Sequence, residues 1–153
     1  MPSPNFESLM QEALIEAGKA ASLGEVPVGA VVYHGGSIIA RAHNRTESDS
    51  DATSHAEVLA IRDAGKVLGN WRLQEATLVV TLEPCTMCAG AIKLSRISTV
   101  VYGASDPRAG GMGTLYDVTA DTRTGPAPRV VTGISEEQCK TILKDFFLKL
   151  RNQ

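Results

Sequence analysis

Stretches with helical and with strand periodicity alternate along this chain, and that alternation limits its fold more than any other feature. Helices interleaved with strands need a sheet that is covered on both faces. A first helix is predicted over about Asn5 to Leu23. There Phe6, Leu9, Met10, Ala13, Leu14, Ala17, Ala20 and Ala21 recur at three- and four-residue steps, and Gly24 stands at the C-terminal cap. Val28 to Tyr33 and Ser37 to Ala42 read as strands joined at His34-Gly35-Gly36, a glycine turn that suits an antiparallel hairpin. A polar loop follows from His43 to Asp51. Ser54 with Glu57 three residues on matches a capping box and opens a helix to about Lys66. Thr77 to Leu82 is a β-branched strand; Pro84 ends it, and Thr86 to Ser95 reads as a helix. Thr99 to Tyr102 is the next strand. Ala104 to Pro128, rich in Gly, Pro, Asp and Thr, is mostly loop, and Arg129 to Thr132 is a last short strand. Ser135 with Gln138 caps a final helix reaching about Leu150. The expected fold class is α/β: a three-layer α/β/α sandwich around a mixed sheet of about five strands, the first pair antiparallel and the later strands joined by helical crossovers. The expected organisation is a single domain, residues 1–153.

The composition agrees with a self-sufficient core: 43% hydrophobic and 21% charged residues in a chain of 153 exclude disorder. Lys and Arg number 15 against 17 Asp and Glu, a net charge of −2. Bulk charge therefore cannot hold nucleic acid, although a local basic patch remains open. No apolar run approaches the roughly 18 residues of a membrane helix. Met1 to Leu9 has no Lys or Arg and contains Glu7, unlike the start of a signal peptide, so no membrane association and a cytoplasmic location are expected. The three cysteines are too few for a disulfide framework, and Cys85 and Cys88 form a C-x-x-C pair. In a reducing compartment that pair is a metal site or a redox couple.

Two motifs carry chemistry: His55-Ala56-Glu57 and Pro84-Cys85-Thr86-Met87-Cys88, each at a predicted helix start. The unpaired N–H groups and partial positive charge of a helix start favour thiolates. Residues three apart on the first turn share a face, so Cys85 and Cys88 can chelate one ion. One imidazole (His55) and two thiolates (Cys85, Cys88) suit Zn²⁺, and three protein ligands leave a tetrahedral ion the open position of a catalytic site. Water in that position needs a proton acceptor, because two thiolates offset the ion's charge. Glu57, two residues from His55, can take the water's proton and pass it to a leaving group. Together these groups suit hydrolytic deamination of a heteroaromatic amine.

Other readings of the same residues stand beside this one. Glu57 also fits the second half of a capping box. C-x-x-C alone fits a dithiol redox protein, and a structural zinc would need a fourth ligand, for which His43 is the main candidate beside His34 and Cys139. Cys139 shares a helical face with Ile142, Leu143 and Phe146 and reads as a buried core thiol, with Phe146 continuing that face into the core.

H-x-E followed by P-C-x-x-C is the signature of zinc deaminases. Over nearly its whole length the chain resembles the bacterial tRNA-specific adenosine deaminases of the cytidine-deaminase-like superfamily. The matching stretches are Glu25-Val26-Pro27-Val28-Gly29-Ala30, His43-Asn44-Arg45, His55-Ala56-Glu57, Leu68-Gly69-Asn70-Trp71-Arg72-Leu73, Thr81 to Ala91 around the cysteine pair, and Val100-Val101-Tyr102-Gly103-Ala104. The Asn-Trp-Arg-Leu stretch and the loop ending near Gly113-Thr114-Leu115 point to the tRNA branch. The resemblance implies a cytidine-deaminase-like fold, one Zn²⁺ per subunit, conversion of a flipped-out wobble adenosine to inosine, a tRNA anticodon stem-loop as partner, and a homodimer with each active site near the interface. It implies a substrate-binding set of Asn44, Pro84, Asp106, Arg108 and Phe147. In that set Asn44 would hydrogen-bond the purine, Asp106 and Arg108 would meet the RNA backbone or a neighbouring nucleotide, and Phe147 would stack on RNA. Lys140, Lys144, Lys149 and Arg151 of the last helix would lie near the RNA, or form a solvated face that also suits the helix dipole. Rival functions are deamination of a free cytosine, guanine or small nucleotide, an RNA-binding module with structural zinc, and the dithiol redox protein.

Overall fold

The computed structural model describes residues 4–153. Met1 to Ser3, which begin the segment read as unlike a signal peptide, lie outside the described residues. Helix α1 (Phe6–Ser22) leads into strands β1 (Gly29–His34) and β2 (Ser37–His43). Then follow α2 (Ala56–Leu68), β3 (Thr77–Leu82), α3 (Thr86–Leu94), β4 (Thr99–Ala104), β5 (Arg129–Thr132) and α4 (Glu136–Arg151). The five strands form one mixed sheet in the order β2-β1-β3-β4-β5. β1 is antiparallel to β2 and β3, and β3, β4 and β5 run parallel. Gly35 and Gly36 close the hairpin with φ of +60° and +90°, which matches the twist of the flanking strands and which a side chain would resist.

The period-2 alternation along the strands sorts their side chains onto two faces. Val31, Val79 and Val101 stand in register across β1, β3 and β4. They pack with Leu9, Met10 and Ala13 of α1 and Cys139 of α4. On the other face Ala30, Val32, Leu78, Val80 and Val100 pack with Ala56, Ala60 and Ala64 of α2 and Ala89 and Ile92 of α3. The result is the expected three-layer sandwich, with α1 and α4 on one side and α2 and α3 on the other. Among the described residues no helix is long and apolar enough to cross a membrane.

Three local expectations are corrected. Ser54 does not cap α2: the N-cap is His55, which makes no side-chain cap bond, and Ser54 Oγ instead donates to Asp49 Oδ2 at 3.0 Å. Ser135 is the N-cap of α4 but sits in the left-handed region (φ +52°) with no cap bond. Gln138 Oε1 accepts from Gln11 Nε2 of α1 at 2.6 Å, so a tertiary bond has replaced the local box. Phe146 is half-buried rather than part of the core, beside Ala21 and Ser22 at the end of α1. The reason is that α4 enters the core through Cys139, near its start, and its later turns lie outside both core clusters.

Candidate active site

The parallel strand β3 ends at Leu82, and the chain turns through the buried Glu83 and Pro84 into α3. Cys85 is the N-cap of α3 and Cys88 lies within its first turn; His55 is the N-cap of α2. Neither Cys85 nor His55 uses its side chain to cap its own helix. Because α2 and α3 cover the same face of the sheet, their starts come together. His55 Nδ1 lies 3.6 Å from Cys85 Sγ and 3.5 Å from Cys88 Sγ, and the three donor atoms fall within 4.8 Å of one another. A tetrahedral zinc with Zn–S of about 2.3 Å and Zn–N of about 2.05 Å has an N···S edge of about 3.5 Å, so this donor set fits the ion in both chemistry and spacing. Among the described residues no fourth side chain joins the group. His43, the rival ligand, has its Nδ1 3.1 Å from Asn44 O, and Cys139 is in the core under α1 and α4.

The electrostatics are those of a site built for charge. The hydrogen bond with Cys88 pulls the Cys85 thiol down to about 3, against burial and with help from His55. The same hydrogen bond, together with burial, pushes the Cys88 thiol strongly up. The bond with Cys85 raises His55 against its burial. The protein alone thus favours one thiolate of the pair, and a bound cation would favour loss of the second thiol proton. Glu57 is buried on the first turn of α2, and burial pushes its carboxyl up to about 7, against its own backbone N–H, the His55 charge and a bond with Cys88. A carboxyl poised near neutrality beside the donor group can both accept and return a proton.

Loops frame this corner. Asn44 follows β2, and its Oδ1 accepts the Ala56 N–H at 2.9 Å. It supplies the cap that His55 does not, and its amide nitrogen is the group left to reach a ligand. Pro84 is buried and its carbonyl takes the Gly111 N–H at 2.8 Å. Asp106 Oδ1 accepts the Arg108 and Ala109 N–H groups at 2.9 and 3.3 Å, the geometry of an Asx turn. Asp106, Arg108 and Phe147 line one cleft of ≈ 500 Å³ with Val26, Leu82 and Arg151. Phe147 is 37% exposed there, its ring edge-to-face with Phe146 at 5.3 Å. Asn44 does not line that cleft.

Two buried carboxylates carry structural weight that the sequence did not assign. Glu25, 1% exposed, accepts from the N–H groups of Glu47 and Ser48 and the hydroxyls of Thr46 and Ser48, fixing the loop after Asn44. Those bonds outweigh burial and hold its carboxyl below the usual range. Glu83, 2% exposed, binds the loop beyond β4. Both residues stand beside a valine–proline or proline–cysteine step in the matching stretches. A Glu one or two residues before a Pro, in the loop at one end of a strand, is the sequence signal they offer.

The MafB19-like deaminase family matches residues 4–151. The chain is 51% identical over 147 residues to the tRNA-specific adenosine deaminase of Bacillus subtilis (strain 168), covering 96% of this chain and 91% of that protein. Among solved structures, one from work on A-to-I editing by tRNA:A34 deaminases at the wobble position of transfer RNA superposes with a TM-score of 0.86 at 44% identity, covering 89% of this chain and 99% of that one. A guanine deaminase from Nitrosomonas europaea superposes with a TM-score of 0.81, covering 95% of this chain and 85% of that one, but at 22% identity it shares the fold alone.

Proposed function

The chain belongs to the tRNA-specific adenosine deaminases of the MafB19-like deaminase family, and from that premise we propose that it hydrolyses the wobble adenosine of a tRNA anticodon to inosine and ammonia. The observation that carries the reading is the three-donor group with Glu57 beside it and no fourth protein ligand among the described residues. His55, Cys85 and Cys88 would hold one Zn²⁺ per subunit, which when bound acidifies water and acts as a Lewis acid. Glu57 takes one proton from the water that adds to C6 of the purine and hands it to the ring nitrogen N1, then moves the proton of the new C6 hydroxyl to the amino nitrogen. The C6–N bond then breaks, ammonia leaves and the carbonyl of inosine remains. Asn44 donates from its amide nitrogen to a ring acceptor. Pro84 packs against the base, Asp106 and Arg108 meet the RNA beside the flipped nucleotide, and Phe147 offers a stacking face in the cleft that Arg151 lines.

The whole of 1–153 acts as one deaminase domain, in the cytoplasm, on an anticodon stem-loop. Its pairing as a homodimer is supported by Met87 and Leu94, exposed apolar residues two turns apart on α3. The test is Glu57→Ala. The variant keeps one zinc per chain and its fold but loses about 10²–10⁴-fold in turnover. Near-normal turnover removes Glu57 from the chemistry. Inosine formed in a wobble-adenosine stem-loop but not from free adenosine, cytidine or guanine separates this function from the free-base deaminases.

A further inference from the structure

The segment 105–114 carries Asp106 and Arg108; Met112 anchors it in the core, and one buried carboxylate holds both of its ends beside the ligand-bearing corner. Glu83 Oε1 accepts the Asp106 N–H at 3.1 Å. Its Oε2 accepts the N–H groups of Met112 and Thr114 at 3.0 and 3.1 Å, and the Thr114 hydroxyl donates to Oε1. Every side-chain partner of Glu83 therefore lies in this one loop, at both ends of it, and no cation is among them. The loop comes close enough to make these bonds only because it is narrow. A Cβ on Gly110 would fall 2.5 Å from Glu83 Oε2, and one on Gly111 would fall 2.8 Å from the Cys85 carbonyl carbon. The backbone of Gly110 pairs with Cys85, and the Gly111 N–H bonds to Pro84 O at 2.8 Å.

On this geometry, and resting on the function proposed above, we propose that Glu83 is a positioning residue. Its carboxylate sets the register of the Asp106–Arg108 turn against the Cys85 corner, and so sets how the RNA-facing loop meets the flipped nucleotide. A carboxylate is the residue type that can do this. Four donors converge on two oxygens, and an amide in its place would, in either orientation, turn its N–H₂ group against at least one backbone N–H. Asp106 Oδ1 is occupied by its own turn and its carbonyl by the Gly110 N–H, so the bond from its N–H to Glu83 is the side-chain anchor of its backbone.

The experiment measures kcat and KM on a wobble-adenosine stem-loop, zinc content, and amide hydrogen exchange. It compares the wild-type protein with Glu83→Gln, Gly110→Ala, Arg108→Ala and the Glu83→Gln/Arg108→Ala pair. Gly110→Ala presses on the same carboxylate from the loop side without changing its charge, so it serves if Glu83→Gln does not fold. The expected result for both is one zinc per chain, KM raised about tenfold with kcat within about threefold. The Asp106, Met112 and Thr114 amides should exchange faster, and the KM penalty of Arg108→Ala should vanish in the Glu83→Gln background. Zinc lost in proportion to activity, or an Arg108→Ala penalty that persists in full, overturns the proposal and makes Glu83 a support of the ligand corner only. If the wild-type protein leaves the stem-loop untouched, the functional reading fails, while unchanged exchange at those three amides would separately reject the anchoring.

Discussion

Asn44 caps a helix with one end of its side chain and, under the proposed function, would meet the purine with the other. The helix that presents His55 starts at that residue, and an imidazole turned toward two thiols cannot also cap its own helix. The carbonyl of Asn44 accepts the first helical N–H in its place. The other end of the amide is a donor, the group that the proposed purine contact would use. Asn44→Ala removes both functions and costs about 1 kcal/mol as a lost cap. Asn44→Asp keeps the acceptor and removes the donor. Its urea midpoint is expected to stay near that of the wild-type protein while the activity on stem-loop RNA falls at least about tenfold, the loss of one hydrogen bond to substrate. Wild-type activity in Asn44→Asp would show that the amide nitrogen does not touch the purine. The residue type at position 44 suits a purine contact on sequence grounds; its bond to Ala56, twelve residues away, is a product of the fold.

At the scale of elements, the helices lie close on the sheet because small residues face it. Ala56, Ala60 and Ala64 of α2 and Ala13 and Ala17 of α1 are all fully buried. The tightest approach is at Gly29, where a Cβ would land on the Ala13 carbonyl oxygen and on the Ala17 backbone nitrogen of α1. Those are backbone atoms, so nothing flexible can yield. Gly29→Ala is expected to destabilise by at least about 1–3 kcal/mol, read as a lower urea midpoint with an unchanged slope. An unchanged midpoint would mean that α1 slides freely on β1. The periodicity of α1 and the glycine turn of the hairpin were readable in the sequence because each is decided within one turn or one strand. The two capping boxes were misread for the opposite reason. Ser54 found a partner in Asp49 of the preceding loop and Gln138 one in Gln11 of α1, and either bond displaces a weak capping bond.

For the whole molecule, the donor group His55, Cys85 and Cys88 brings together the starts of α2 and α3, so an ion held there would tie these two helices to each other. Binding an ion there stabilises the folded chain by mass action, about 2.7 kcal/mol at a hundred times the dissociation constant. Chelation is expected to abolish deamination and to lower the thermal midpoint, and adding Zn²⁺ back restores both. Cys88→Ser should lose that zinc-dependent rise. A midpoint indifferent to chelation and to added zinc would rule out a bound ion at this group. The near-neutral charge of the chain is consistent with recognition by a local cleft rather than by a charged face, since Arg108 and Arg151 meet Phe147 and Asp106 in one cavity.

The candidate donor set was legible in residue type and short spacing: an imidazole with a carboxyl two residues on, and a thiol pair one helical turn apart. Layer order and the antiparallel hairpin were likewise written into local periodicity. What only three dimensions decided was convergence. His55 and the cysteines meet because two separate helices begin at the same end of one sheet face. Glu25 and Glu83 count because burial strips them of water and leaves loop amides as their partners. Linear order encodes neither burial nor long-range partnership, so a lone Glu beside a proline looks ordinary until the chain closes around it.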